Sequence, residues 1–131
     1  MAGELILVVE DDEKSRRLVH DVLEYEGYRI AEATAGDEGV RLAKELRPAL
    51  VLMDVQLPVL DGIAALRLLR DDPDTRAIPV IAVTASAMPD DRVKIGAAGF
   101  DGHQAKPIRI RDLVELVRRT IASGRMEAAD A

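Results

Sequence analysis

The sequence predicts an α/β protein built on a doubly wound, five-stranded parallel sheet of order 2-1-3-4-5, covered on both faces by five helices. Three observations carry that expectation. Short branched-aliphatic runs alternate along the chain with stretches of helical periodicity, the pattern of repeated β–α units. Most of these runs are apolar throughout, as strands buried on both faces are. Right-handed crossovers leave few strand orders, and 2-1-3-4-5 sets the first and third strands side by side where the order reverses. At 131 residues the chain has the size of one domain, expected over 1–124 with a short tail at 125–131.

The first strand is Glu4–Val9, an apolar run that ends in Glu10, Asp11 and Asp12. A helix follows from Lys14 to Glu26, with Leu18, Val19, Val22 and Leu23 at helical spacing and Gly27 as its stop. Tyr28–Ala33 alternates less cleanly, as an outer strand does. Gly36–Leu46 is again amphipathic, and Pro48 prevents its continuation. Leu50–Asp54 is a short apolar run that reads as a buried strand, and it delivers one aspartate to its C-terminal end. Leu57–Gly62 reads as a loop from its Pro and Asp-Gly content, and Ile63–Arg70 as a short helix.

Ile78–Thr84 is the fourth strand and carries a hydroxyl to its end. Pro89–Ala98 is helical, with Pro at the first position and Gly99 closing it. Phe100–Ala105 is the fifth strand by its place in the alternation, although Gly102, His103 and Gln104 are poor strand formers. The last helix is marked by Ile110, Leu113, Val114, Val117 and Ile121. The resulting arrangement is flavodoxin-like.

Composition excludes several function classes. The chain has no cysteine, which removes disulfides and zinc–thiolate sites and fits a reducing cytoplasm. The N-terminus shows no secretory signal, and no apolar run is long enough to span a membrane. A net charge of −6 argues against direct nucleic-acid binding. With no Trp, two Tyr and one Phe, stacking platforms for bases or sugars are not expected.

In this topology four strands end on polar groups at one sheet edge: Glu10, Asp11 and Asp12 after the first, Asp54 on the third, Thr84 on the fourth and Lys106 after the fifth. Taken alone, Asp54 reads first as a turn cap. Clustered carboxylates 4 Å apart repel by about 4 kcal/mol at an effective dielectric near 20, so the group should keep a proton or hold a cation. All-oxygen ligands with room for water suit magnesium. An ionised aspartate beside a divalent cation, a lysine and a hydroxyl is arranged for phosphoryl transfer, with Asp54 as the nucleophile. Lys106 also reads as a buried counterion, and the two roles are compatible. Asp12 reads first as the cap of the following helix. His20 reads as an exposed helix residue.

Glu10-Asp11, Asp54 followed by Leu57–Gly62, Thr84-Ala85 and Lys106-Pro107 together resemble the receiver domain of two-component response regulators, over about Leu5–Ala122. The resemblance implies that Asp54 accepts phosphate from a phosphohistidine on a sensor histidine kinase or histidine phosphotransfer protein. It implies that Glu10, Asp11, Asp54 and the Gln56 backbone carbonyl arrange magnesium, and that Thr84 and Lys106 bind the phosphoryl group. It further implies a cis bond at Lys106-Pro107, a phosphodonor docking on the first helix, and a downstream protein target read through the last two helices and the fifth strand.

Two positions depart from the family pattern. His103 stands where Tyr or Phe commonly moves with the threonine, and Gln104 stands where an aliphatic residue is usual. Gln56 and Ser86 occupy positions that tune phosphoryl lifetime in similar proteins, and both also read as solvated loop side chains. The expected function is a stand-alone, phosphorylation-controlled binding switch. The alternatives are a receiver fragment of a hybrid histidine kinase and a magnesium-dependent phosphatase with an aspartate nucleophile. The phosphatase is disfavoured because Gln56 stands where an acid/base aspartate is usual. A nucleotide-binding module would need a G-x-G-x-x-G after the first strand, which is absent.

Overall fold

A computed structural model of the chain describes residues 3–85 and 93–123 and, at 89–92, the helical backbone alone. The elements run β1 (Leu5–Val9), α1 (Glu13–Tyr25), β2 (Arg29–Ala33), α2 (Gly36–Leu46), β3 (Leu50–Asp54), α3 (Gly62–Asp71), β4 (Val80–Thr84), α4 (Pro89–Ala98), β5 (Gly102–Ala105) and α5 (Ile110–Ser123). The five strands form one sheet of order β2-β1-β3-β4-β5. All neighbouring pairs are parallel, so the expected architecture is the one observed.

The strands sort their side chains between two cores. Leu7, Val9, Val51, Met53 and Val80 face α2 and α3, where they meet Val40, Ala43, Ala65, Leu66 and Leu69. Ile6, Val8, Leu50, Leu52, Ile81 and Val83 face α1 and α5, against Val19, Leu23, Leu113 and Val117. That alternation is the two-residue period of a strand, and helices on both faces explain why every strand position can be apolar. Every residue of β3 and β4 is buried. Of the apolar positions expected to pack from α1, Val19 and Leu23 are buried, whereas Leu18 is 37% exposed.

The helix ends follow local chemistry. Asp12 caps α1 by accepting a hydrogen bond from the Ser15 N–H at 2.9 Å, and its carboxyl is lowered chiefly by that bond. At the other end Gly27, at φ +100°, closes a Schellman turn in which Tyr28 N–H donates to the Leu23 carbonyl. Asp61 caps α3 through the Ala64 N–H at 2.8 Å.

Four strands are shorter than expected, β1 by one residue because it begins at Leu5 rather than Glu4. β2 begins at Arg29 rather than Tyr28, and β4 at Val80 rather than Ile78. β5 begins at Gly102, because Phe100 packs against the α2–α3 core and the Asp101 carboxylate accepts from Val80 N–H and Arg70. The tail expected at 125–131 lies outside the described residues. Among the described residues no helix is long and apolar enough to cross a membrane.

Candidate functional site

The C-terminal ends of β1, β3 and β4 and the chain leaving β5 meet at one edge of the sheet. β1 hands over to Glu10, whose N–H donates to the Ala33 carbonyl of β2 at 2.9 Å. β3 ends on Asp54 itself and β4 on Thr84. Lys106 follows β5 directly, and its N–H donates to the Thr84 carbonyl at 2.8 Å. Glu10, Asp54 and Thr84 are nearly inaccessible, at 4%, 4% and 3% exposure.

Lys106 is the hub of these charges. Its ammonium lies 2.8 Å from Glu10 Oε1 and 2.9 Å from Asp54 Oδ2. The other Asp54 oxygen, Oδ1, accepts the Gln56 N–H at 2.9 Å, and Glu10 Oε2 accepts the Asp12 N–H at 3.2 Å. Both carboxylates are therefore held at both ends. Burial first, then hydrogen bonding to Asp54, pushes Glu10 up to about 7 against the pull of Lys106. Burial lowers the Lys106 ammonium, but Glu10 and Asp54 together outweigh it and hold it above the ordinary lysine value.

Carboxylate oxygens of Glu10, Asp11 and Asp54 lie within 4.8 Å of one another. This donor set is all oxygen, and Asp11 is exposed, so water has access on one side. Both features fit a hard divalent cation that keeps part of its hydration, as magnesium does. The raised Glu10 carboxyl fits as well, because crowded carboxylates with a single lysine leave excess negative charge for a cation to offset.

Backbone crowding fixes the loop beside Asp54. Gly62 N–H donates to the Val55 carbonyl at 2.9 Å, and a Cβ on Gly62 would collide with the Asp54 carbonyl oxygen. A Cβ on Gly36 would collide with the Leu60 carbonyl, so the loop also presses against the start of α2. At the loop's tip Val59 is 83% exposed and takes φ +68°, a strained setting for a β-branched residue.

Glu10, Asp11, Asp54 and Lys106 are thus brought together, and Thr84 stands at the adjacent strand end. The Lys106-Pro107 bond is cis, as the family resemblance implies. Gln56 presents its backbone N–H to Asp54 while its side chain is exposed. His103 pairs in register with Ala82, which puts it on the same face of the sheet as Thr84, two positions further along β4. Gln104 is buried at 7% exposure, with its amide nitrogen donating to the Ala105 carbonyl at 3.3 Å. Ser86 lies outside the described residues.

His20 differs from expectation. Its ring bridges two carboxylates, with Nδ1 2.8 Å from Glu32 Oε2 and Nε2 3.3 Å from Glu24 Oε2. Burial lowers its pKa, but the two acids more than compensate and raise it above the ordinary value. Glu32 lies on β2, and nothing in the local sequence around His20 points to it. Arg16, unnoticed in the sequence, donates to the Glu10 carbonyl at 3.0 Å. The signal available for it was only its place one turn into α1.

A family model described as "Response regulator receiver domain" matches residues 6–118. The chain is 40% identical over 113 residues to the polar-differentiation response regulator DivK of Brucella anthropi, covering 86% of this chain and 92% of that protein. Among solved structures, it resembles the receiver domain of sensor histidine kinase PA1611 from Pseudomonas aeruginosa, which has a magnesium ion coordinated in its active-site cleft. The TM-score is 0.86 at 37% identity, over 92% of this chain and 99% of that one. The chemotaxis protein CheY4 of Vibrio cholerae gives a TM-score of 0.83 at 25% identity, over 90% of this chain and 98% of that one.

Proposed function

The chain belongs to the response regulator receiver family, and from that premise we propose that Asp54 is its phosphoacceptor and that phosphorylation there switches protein binding. The observation that carries this reading is the Lys106 ammonium, 2.9 Å from Asp54 Oδ2 and 2.8 Å from Glu10 Oε1, at an edge where an exposed acid completes an oxygen cluster.

In the proposed step an Asp54 oxygen attacks the phosphorus of a phosphohistidine on a histidine kinase or phosphotransfer protein. The O–P bond forms as the P–N bond breaks, and the imidazole leaves with the electron pair and takes a proton from solvent. Gln56 N–H holds Oδ1 and Lys106 holds Oδ2, so the carboxylate is oriented before the donor arrives. Lys106 must yield part of its contact with Oδ2, and it can follow the charge onto a phosphoryl oxygen. The Thr84 hydroxyl, at the neighbouring strand end, is the second proposed phosphoryl partner. Glu10, Asp11, Asp54 and the Gln56 carbonyl would hold magnesium, which when bound supplies positive charge against the phosphoryl oxygens.

The output is a change of binding surface, with His103 and the α4–β5–α5 side as the proposed exit and α1 as the donor dock. Gln56 and Ser86 are proposed to set how fast the acyl phosphate hydrolyses. Incubation with magnesium and a small acyl phosphate, followed by intact-mass measurement, tests the central claim. One added phosphoryl group is expected, stable in acid, labile in base and lost in Asp54→Asn. No adduct on the native chain, or an undiminished one on Asp54→Asn, would sink it.

A further inference from the structure

Glu10 is the first residue beyond β1, and its polar groups are engaged on several sides. Its N–H goes to Ala33 of β2, its Oε1 to Lys106 and its Oε2 to the Asp12 N–H. Its carbonyl goes to Arg16, whose Nη1 donates at 3.0 Å. That carbonyl belongs to the peptide plane joining Glu10 to Asp11. Rotating the plane changes the backbone angles on which both carboxylates depend, and Asp11, being exposed, has little packing to restrain it.

Arg16 reaches this carbonyl because of where α1 begins. Its own N–H closes the first helical bond onto the Asp12 carbonyl at 2.9 Å. Side chains on a helix lean toward its N-terminus, which aims the guanidinium back over the β1–α1 turn. It is held there from behind, with Nε 3.6 Å from Glu32 Oε1 on β2. The second Glu32 oxygen is in turn bridged by His20, one turn further along α1. Arg16 is only 18% exposed at its side chain, so the contact is sheltered from competing water.

We propose that Arg16 is a positioning residue for the cation site: its guanidinium, buttressed by Glu32, fixes the Glu10–Asp11 peptide and so the angle at which the two carboxylates converge. The inference rests on the reading of Glu10, Asp11 and Asp54 as the magnesium ligands. A guanidinium suits the task because its planar fork can serve the carbonyl and the Glu32 carboxylate together. A lysine ammonium at the same place could serve one of them well.

The test is a titration of the isotopically labelled 131-residue chain with magnesium chloride, following backbone amide resonances of the β1–α1 turn. It uses wild type, Arg16→Ala, Arg16→Lys, Glu32→Gln and Asp11→Asn, each at a temperature where its own melting curve shows it folded. Arg16→Ala is expected to weaken magnesium binding about tenfold, the scale on which partners of metal ligands act. Arg16→Lys should recover part of that loss, and Glu32→Gln should show a smaller loss. A purely structural role would lower the melting temperature without moving the dissociation constant. Equal affinity in wild type and Arg16→Ala overturns the inference alone. Should Arg16→Ala not fold, equal affinity in Arg16→Lys and wild type overturns it. Absence of saturable shifts in wild type, or shifts undiminished in Asp11→Asn, overturns the cation reading and this inference with it.

Discussion

Glu10 is a carboxylate almost without solvent, and the structure makes its proton expensive to remove. Burial and the neighbouring Asp54 raise it from 4.5 to about 7, so the folded metal-free chain holds this proton more tightly than the unfolded chain does. The sign follows directly: the contribution is fully present below about pH 4.5 and is lost as pH rises through about 7. In a metal chelator, stability from urea unfolding is therefore expected to fall between pH 5 and 7. Glu10→Gln should flatten that slope, and an equal slope in both proteins would remove Glu10 as its source. Lys106 is the opposing charge. Replacing it with Met leaves Asp54 without its cation and pushes the Glu10 carboxyl higher still, and a loss of about 2–3 kcal/mol near pH 7 is expected, less than for breaking a fully buried pair because the Lys106 side chain is one-fifth exposed. The loss should shrink near pH 5, where Glu10 takes up its proton.

Strands and loops position these residues by different means. β3 brings Asp54 to the edge on a strand buried along its whole length, and Leu52→Ala, removing a side chain 1% exposed, is expected to cost about 2–5 kcal/mol in urea unfolding. The loop after β3 is set by backbone contact instead. Gly62→Ala must displace the Asp54 carbonyl or α3, so it should destabilise by about 1–3 kcal/mol and slow phosphorylation as well, read from melting and from the rate of adduct formation. This difference decides what a reader of the sequence can see. Burial on both faces writes β1, β3 and β4 as apolar runs, and short right-handed crossovers then put Glu10, Asp54, Thr84 and Lys106 at one edge. Gly62 reads only as part of an Asp-Gly turn, because its crowding depends on the Asp54 and Val55 backbone lying beneath it. Arg16 and His20 were equally hidden: the Glu10 carbonyl is reached only around the β1–α1 turn, and Glu32 is supplied by another element. The late start of β5 has the same origin, since Asp101 is committed to Arg70 and Val80.

At the scale of the whole molecule, the proposed cation site would couple proton uptake, metal binding and folding. Only the folded chain brings Glu10, Asp11 and Asp54 together from separate elements, so a divalent ion that binds there stabilises the fold by mass action, by about 2.7 kcal/mol at a concentration a hundred times its dissociation constant. A cation also competes with the Glu10 proton, because a ligand oxygen must be unprotonated to coordinate. With that carboxyl raised to about 7, part of the population carries the proton at neutral pH, and magnesium binding should release a fraction of a proton there. Calorimetric titrations in two buffers of different ionisation enthalpy measure that number. Release should grow toward one proton near pH 6 while affinity falls, and should fade above pH 8. Glu10→Gln should bind more weakly and abolish the buffer dependence. If wild type binds magnesium with the same heat in both buffers at pH 7, the metal displaces no proton from Glu10 at that pH and the proposed competition is overturned.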